Sequence, residues 1–152
     1  MNEILAPDAL DWQTAFVRLI AATLLPLAIG IERFVRKKPI DFRPYVIISI
    51  VACGLLLATQ DLLTAQATEG TPIDPTRVMQ GVITGIGFLG AGAMYREGDF
   101  VKGAGTAASI WSAGAIGLIC GIGEIWLAGV ITVVIVGLML FSAPVTEKWD
   151  NN

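Results

Sequence analysis

At 152 residues the chain has room for one domain of ordinary size. Apolar residues make up 55% and charged residues 15%, with mean hydropathy +0.71, a balance that excludes a water-soluble globule. The net charge of −3 and the lack of a long basic block exclude the footprint of a nucleic-acid binder. Histidine is absent, which removes the usual metal ligand, general base and pH switch and argues against an enzyme.

Charge-free runs long enough to cross a bilayer, which takes ~20 apolar residues, occur at Pro44–Gln60, Val78–Tyr95, Gly103–Gly123 and Ile125–Thr146. A fifth run, Trp12–Ile31, is equally apolar but holds Arg18. The expected fold is therefore an all-α membrane bundle of about five transmembrane helices, near 12–31, 44–62, 75–95, 103–122 and 125–143, forming one domain over residues 1–152. The segment MNEILAPDALD ahead of the first run is acidic where a cleaved signal peptide needs positive charge, so that run is expected to remain as helix one. Arg33, Arg36, Lys37, Lys38 and Arg43 follow it directly and mark the cytoplasmic side. Alternation then puts the N-terminus outside, the Asp61–Thr76 loop outside, the Arg96–Lys102 loop inside, the Glu124 turn outside and the C-terminus inside.

Interfacial aromatics agree with this arrangement: Trp12 and Trp126 fall at outer ends, Tyr45, Tyr95 and Trp149 at inner ends, and Trp111 within a span. Asp74-Pro75 supplies an N-cap followed by proline at the first helical position, Pro44 can open helix two in the same way, and Pro26 predicts a kink in helix one. Cys53 is expected near mid-bilayer and Cys120 near the outer end, with depths about 10 Å apart at 1.5 Å per residue, too far for a disulfide. Both read as small buried apolar residues.

Glycine is concentrated in helices three and four, with five between Gly81 and Gly92, and GAGTAASIWSAGAIG opening helix four. Small residues let helices approach closely in a membrane, so these two helices are expected at the packed centre. On a 3.6-residue period Gly81, Thr84, Gly85, Phe88, Ala91 and Gly92 share a face that Gly87 and Gly90 do not. The surplus suggests contacts on two sides or a locally broken helix with exposed carbonyls. Arg18, two turns into helix one, either snorkels to outer headgroups or pairs with Asp61, Asp74 or Glu124. Glu32, at a helix C-terminus where the dipole disfavours a carboxylate, needs a cationic partner, and a solvated pair is the plainest arrangement. Arg77, in the first turn of helix three, is expected to pair with Asp74 or with lipid phosphate.

Taken together, FVRLIAATLL with GIER, a basic loop containing FRPY, DPTRVMQGVITGIGFLGAGAMYREG and VKGAGTAASIWSAGAIGLICGIG resemble the membrane domain of the MgtC/SapB family, from about Phe16 to Phe141. The resemblance implies a multi-pass protein of the bacterial inner membrane linked to magnesium limitation and virulence. It also implies a regulatory role through the lipid bilayer and membrane partners, a homo-oligomer or another membrane protein such as the F-type ATP synthase, with no nucleic acid. Positions carried over as functional polar groups are Arg18, Glu32, Arg33, Arg43, Asp74, Arg77 and Thr106; those carried over as packing or partner surface are Gly81, Gly85, Gly87, Phe88, Gly90, Gly92, Gly103, Ala107 and Trp111. No catalytic role comes with any of them, no cofactor is expected, and magnesium enters only by resemblance. The chain departs from the family pattern at Pro26, where the family has glycine, at Asp41-Phe42-Arg43-Pro44, where it has Gly-Leu-Arg-Thr, and at Ala104-Gly105-Thr106, where it has a Leu-Thr-Thr or Leu-Asn-Thr step. Many relatives continue into a soluble C-terminal domain, so regulation through such a domain is expected to be absent here or supplied by another protein.

Two functions follow: a non-enzymatic regulator or assembly subunit acting through the glycine-rich surface of helices three and four, or a carrier or channel for magnesium or another ion. Magnesium sites generally use one or two carboxylates. None of the 13 Asp and Glu lies centrally in a predicted span, so a transport site would need carbonyls, Thr84, Thr106 and Ser109, or a subunit interface. That asymmetry favours the regulator.

Overall fold

The structure, a computed structural model, describes residues 11–36, 41–66 and 74–150, with side chains for 11–36, 41–60 and 74–142. Among the described residues the chain forms helices α1 (Trp12–Val35), α2 (Arg43–Gln66), α3 (Pro75–Gly92), α4 (Ala104–Ile122) and α5 (Ile125–Asp150), with a hairpin of β1 (Tyr95–Glu97) and β2 (Phe100–Lys102) between α3 and α4. The all-α membrane bundle is thus the fold. Four helices, α1, α2, α4 and α5, are long and apolar enough to cross a bilayer, with mean hydropathy from 1.5 to 2.5.

The third expected span is the exception. It closes at Gly92 rather than near residue 95, and Arg77 and Gln80 in its first half keep it outside that set. Packing carries it across nonetheless. Met79, Val82 and Ile83 pack on the cluster that Leu118, near one end of α4, forms with Ala52 and Leu56 of α2, Ile86 reaches Gly114, and Gly90 meets the backbone of Ala107 near the other end. α3 therefore runs antiparallel along most of α4. The helix is continuous, which removes the broken-helix alternative. Past Gly92 the chain turns into the hairpin, where Glu97 pairs with Phe100 around a two-residue Gly98-Asp99 loop and Gly98 takes φ +61°. α1 and α2 each run 24 residues, past the expected 31 and 62, and α1 continues through the buried Pro26 without interruption. Lys37, Lys38 and Trp149 lie outside the residues whose side chains are described, as does Asp61.

α4 is the hub. It touches all four other helices, and 61% of it is buried, against 11% of the crossing part of α5. The close fit comes from Gly114, Gly117 and Gly121, spaced three and four residues apart so that they share a face. A Cβ on Gly117 would stand 2.2 Å from the Ser49 carbonyl oxygen, and one on Gly121 would stand 2.9 Å from the Leu56 Cβ. The α2 backbone takes up the space that a side chain would occupy, the small-residue route to helix association in a membrane. Hydroxyls in the spans mostly answer to their own helix: Thr23, Thr59, Thr84, Ser112 and Thr132 donate to the carbonyl four residues back at 2.7–2.8 Å.

This seam corrects the expected depth of the cysteines. Gly121 packs on the Cys53 backbone, where a Cβ would stand 3.1 Å from the carbonyl oxygen, so Cys120 and Cys53 lie at similar depth. α2 overhangs the end of α4, which is why counting from helix ends misplaces them. Both thiols are buried and free.

Candidate functional site

Three features stand out: two polar clusters at opposite ends of the bundle, and one open face on α3.

The first cluster is built where α1 ends and where α2 and α4 begin. Glu32 and Arg33 fall in the last turn of α1 and are 8% and 9% exposed, so the pair is buried rather than solvated as expected. Arg36, one turn on, donates from Nε to Glu32 Oε1, and Arg33 Nη1 lies 3.9 Å from Glu32 Oε2. The carboxylate that the helix dipole disfavours is therefore held by two guanidiniums that the same dipole favours. Arg33 also reaches the first turn of α4, where a Cβ on Gly105 would lie 3.5 Å from its Nη2. Thr106, next to Gly105, is buried, and Ser109 donates to the Gly105 carbonyl at 2.6 Å. From α2, Tyr45 and Ser49 are fully buried, and Tyr45 sits within the fields of both Arg33 and Glu32. Glu32 Oε2, Arg33 Nε, the Tyr45 hydroxyl and Ser49 Oγ meet no hydrogen-bond partner among the described residues. Glu32 Oε2, Arg33 Nε and the Tyr45 hydroxyl are orphaned polar atoms in one region, costly in an apolar bundle, and mark it as specialised, whereas Ser49 lies further along α2 with its carbonyl against Gly117.

At the other end Arg18 reaches from α1 to two elements. Its Nη1 donates to Gln60 Oε1 of α2 at 3.0 Å and to the Gly121 carbonyl of α4 at 2.8 Å. Among the described residues no carboxylate pairs with it. Asp74 accepts from the Thr76 amide at 2.9 Å and hydroxyl at 2.7 Å, and Glu124 accepts from Trp126 Nε1 at 2.8 Å. Of the three expected carboxylate partners, Asp61 lies outside the residues whose side chains are described; among those described, Arg18 instead caps the carbonyl end of α4, where a cation complements the dipole.

The remaining expected polar residues stand apart. Arg43 is exposed and bound to Asp41, whose carboxyl that hydrogen bond holds below its ordinary pKa. Asp74 caps α3, and the two Thr76 donors lower its pKa as well. Arg77 is exposed and adds only its field to Asp74. Of the seven expected polar positions, the structure thus gathers Glu32, Arg33 and Thr106 and leaves Arg18, Arg43, Asp74 and Arg77 elsewhere.

The expected packing surface divides in two. Gly90 faces the Ala107 backbone, with 3.3 Å between a built Cβ and the carbonyl oxygen, and Gly103 takes φ +90° where a Cβ would strike the Ala93 carbonyl. A Cβ on Gly81, Gly85, Gly87 or Gly92 would meet nothing, Phe88 is 81% exposed, and Trp111 is half-exposed. Gly81, Thr84, Gly85, Phe88, Ala91 and Gly92 are all exposed, which makes one continuous open strip on α3. Sequence reasoning read Tyr45 as an interfacial aromatic, whereas the bundle buries it fully, and passed over Ser49, Gln60 and the Gly114, Gly117 and Gly121 seam. Only the seam had a legible signal, its three-and-four spacing.

These features define a helical membrane bundle with a buried ion pair at one end and a half-buried arginine at the other. Residues 19–148 match the MgtC family, and the chain belongs to it. The chain is 34% identical over 119 residues to Protein MgtC of Salmonella typhimurium, covering 78% of this chain and 48% of that protein. It is also 34% identical over 129 residues to Protein MgtC of Brucella abortus, covering 85% and 51%. An uncharacterized protein of Haemophilus influenzae is 34% identical over 142 residues, covering 91% and 59%. The chain therefore spans about half the length of the relatives it matches. No solved structure matches it significantly.

Proposed function

We propose that this chain is a non-enzymatic regulator or assembly subunit of the bacterial inner membrane that works by docking another membrane helix on α3. The observation that carries the reading is the open strip from Gly81 to Gly92: the smallest side chains of the bundle are turned outward with Phe88 standing among them, while α4 keeps its own glycines for internal packing. A helix crossing that strip gains close backbone approach, and Phe88 supplies a large contact beside it. Family membership supports a role tied to magnesium limitation. The partner class is a membrane protein, either a second copy or a larger assembly.

The test is purification from native membranes after cross-linking. Gly85→Leu and Phe88→Ala should each release a co-purifying protein while the melting temperature in detergent stays within a few degrees of wild type, because neither side chain touches the bundle. Purified protein in liposomes should carry no magnesium. A robust, saturable magnesium flux from the protein alone overturns the docking reading in favour of transport.

A further inference from the structure

A cavity of about 360 Å³ opens beside Arg18, where the start of α1 meets the turn between α4 and α5. Asp11, Thr14 and Arg18 give it polar walls, while Val17 and Ile125 give it apolar ones. Three observations bear on what it holds.

The first is the unspent edge of Arg18. Both hydrogens of Nη1 are committed, to Gln60 and to Gly121, which leaves Nε and Nη2. Nε is buried and meets no acceptor among the described residues. That edge lies against Gly123, where a Cβ would come within 2.8 Å of Nη2 and 3.3 Å of Nε, so glycine leaves it without a side chain on top. Nε is shut in, so the donor left to the cavity is Nη2, a charged N–H group suited to an oxygen of a phosphate or carboxylate.

The second observation is the charge across the cavity. Asp11 stands at the N-cap position of α1, its side chain making no capping bond, seven residues or about 10 Å of helix rise before Arg18. Arg18 leans back toward it, as helical side chains do, yet the two form no ion pair. One cavity thus carries an acceptor for a cation and a donor for an anion, held apart.

The third is depth. Trp12 and Trp126, next in sequence to the lining residues Asp11 and Ile125, are 64% and 69% exposed. Paired exposed tryptophans at helix ends mark the level at which lipid headgroups lie.

We propose that this cavity binds a zwitterionic aminophosphate, a phosphate or phosphodiester carrying a primary ammonium, with Arg18 on the phosphate and Asp11 and Thr14 on the ammonium. The group comes either from the headgroup of an ethanolamine phospholipid or from free phosphoethanolamine. This site lies at the opposite end of the bundle from the Glu32 cluster and stands independently of docking on α3.

The test is native mass spectrometry of detergent-purified protein loaded with phosphatidylethanolamine, phosphatidylglycerol or phosphatidylcholine, alongside thermal shifts with free phosphoethanolamine. Wild type should retain one phosphatidylethanolamine at least five-fold over phosphatidylglycerol. Asp11→Asn, which removes the charge from a side chain that makes no capping bond, should erase that preference, and Arg18→Lys should reduce retention of both lipids several-fold. A shift with phosphoethanolamine that shows the same dependence on Asp11, without lipid retention, assigns the soluble source and supports the chemistry. Equal retention of all lipids by wild type and Asp11→Asn overturns the proposal. Retention that depends on Arg18 but not on Asp11 overturns it too, leaving a plain anion site. Should Arg18→Lys melt early, Asp11→Asn and Thr14→Val decide the outcome, because neither residue bonds to the bundle through Arg18.

Discussion

Glu32 is a single carboxylate answering two arginines inside an apolar bundle, and the balance between them is lopsided. Arg33 is nearly as buried as Glu32, while Arg36 keeps a quarter of its side chain exposed. Removing the carboxylate strands Arg33 with no anion among the described residues, and breaking a buried pair from one side costs about 3–5 kcal/mol. Glu32→Gln should therefore lower stability by that order in thermal unfolding in detergent. Arg33→Gln should cost less, because Arg36 still holds Glu32, and adding Arg33→Gln to Glu32→Gln should recover part of the loss. The need for a cationic partner at Glu32 was legible from the helix dipole alone. Burial of the pair was not, because it depends on α2 and α4 arriving with Tyr45 and Thr106 on the same spot. Arg18 shows the converse: its depth could be read, but its acceptors, a side-chain amide and a main-chain carbonyl on two other helices, carry no charge that a sequence search would single out.

Between helices, the same residue type does opposite things on α3 and α4. A methyl group on Gly117 has nowhere to go, since the Ser49 carbonyl is main chain and cannot turn aside. Gly117→Ala should cost about 1–3 kcal/mol or more, read as a lower melting temperature and weaker α2–α4 cross-linking. Gly85→Ala meets open space and removes a glycine from a helix interior, a change worth up to about 1 kcal/mol in its favour, so its melting temperature should hold or rise. The 3.6-residue period was enough to find the α3 strip, because a face is a property of one helix. Which strip packs inside is a property of the pair, and glycine density pointed to α3 and α4 alike when the closest contacts belong to α4. The hairpin had a local signal in its Gly98-Asp99 loop, hidden by reading the stretch only as a connection between spans.

For the whole molecule, orientation follows from charge. Arg33, Arg36, Lys37, Lys38, Arg43, Arg96, Lys102 and Lys148 all fall toward one side under the alternating arrangement, while Arg77 lies toward the other. A reporter fused at Gln66 should read external and one at Asn152 cytoplasmic; a cytoplasmic Gln66 overturns the arrangement. Five side-by-side helices were legible as hydrophobic runs, although α3 owes its place to α4 more than to its own hydropathy. That dependence has a consequence for how the protein is made. The ribosome delivers α1, α2 and α3 before the helix that all of them grip, so early in synthesis α3 is a polar-tipped, glycine-rich segment with only the Ala52 and Leu56 patch of α2 to pack on. Until Gly103 has turned the chain back into the membrane, the bundle is an open cleft waiting for its centre, and the interval between the third and fourth helices is when quality control has the most to seize.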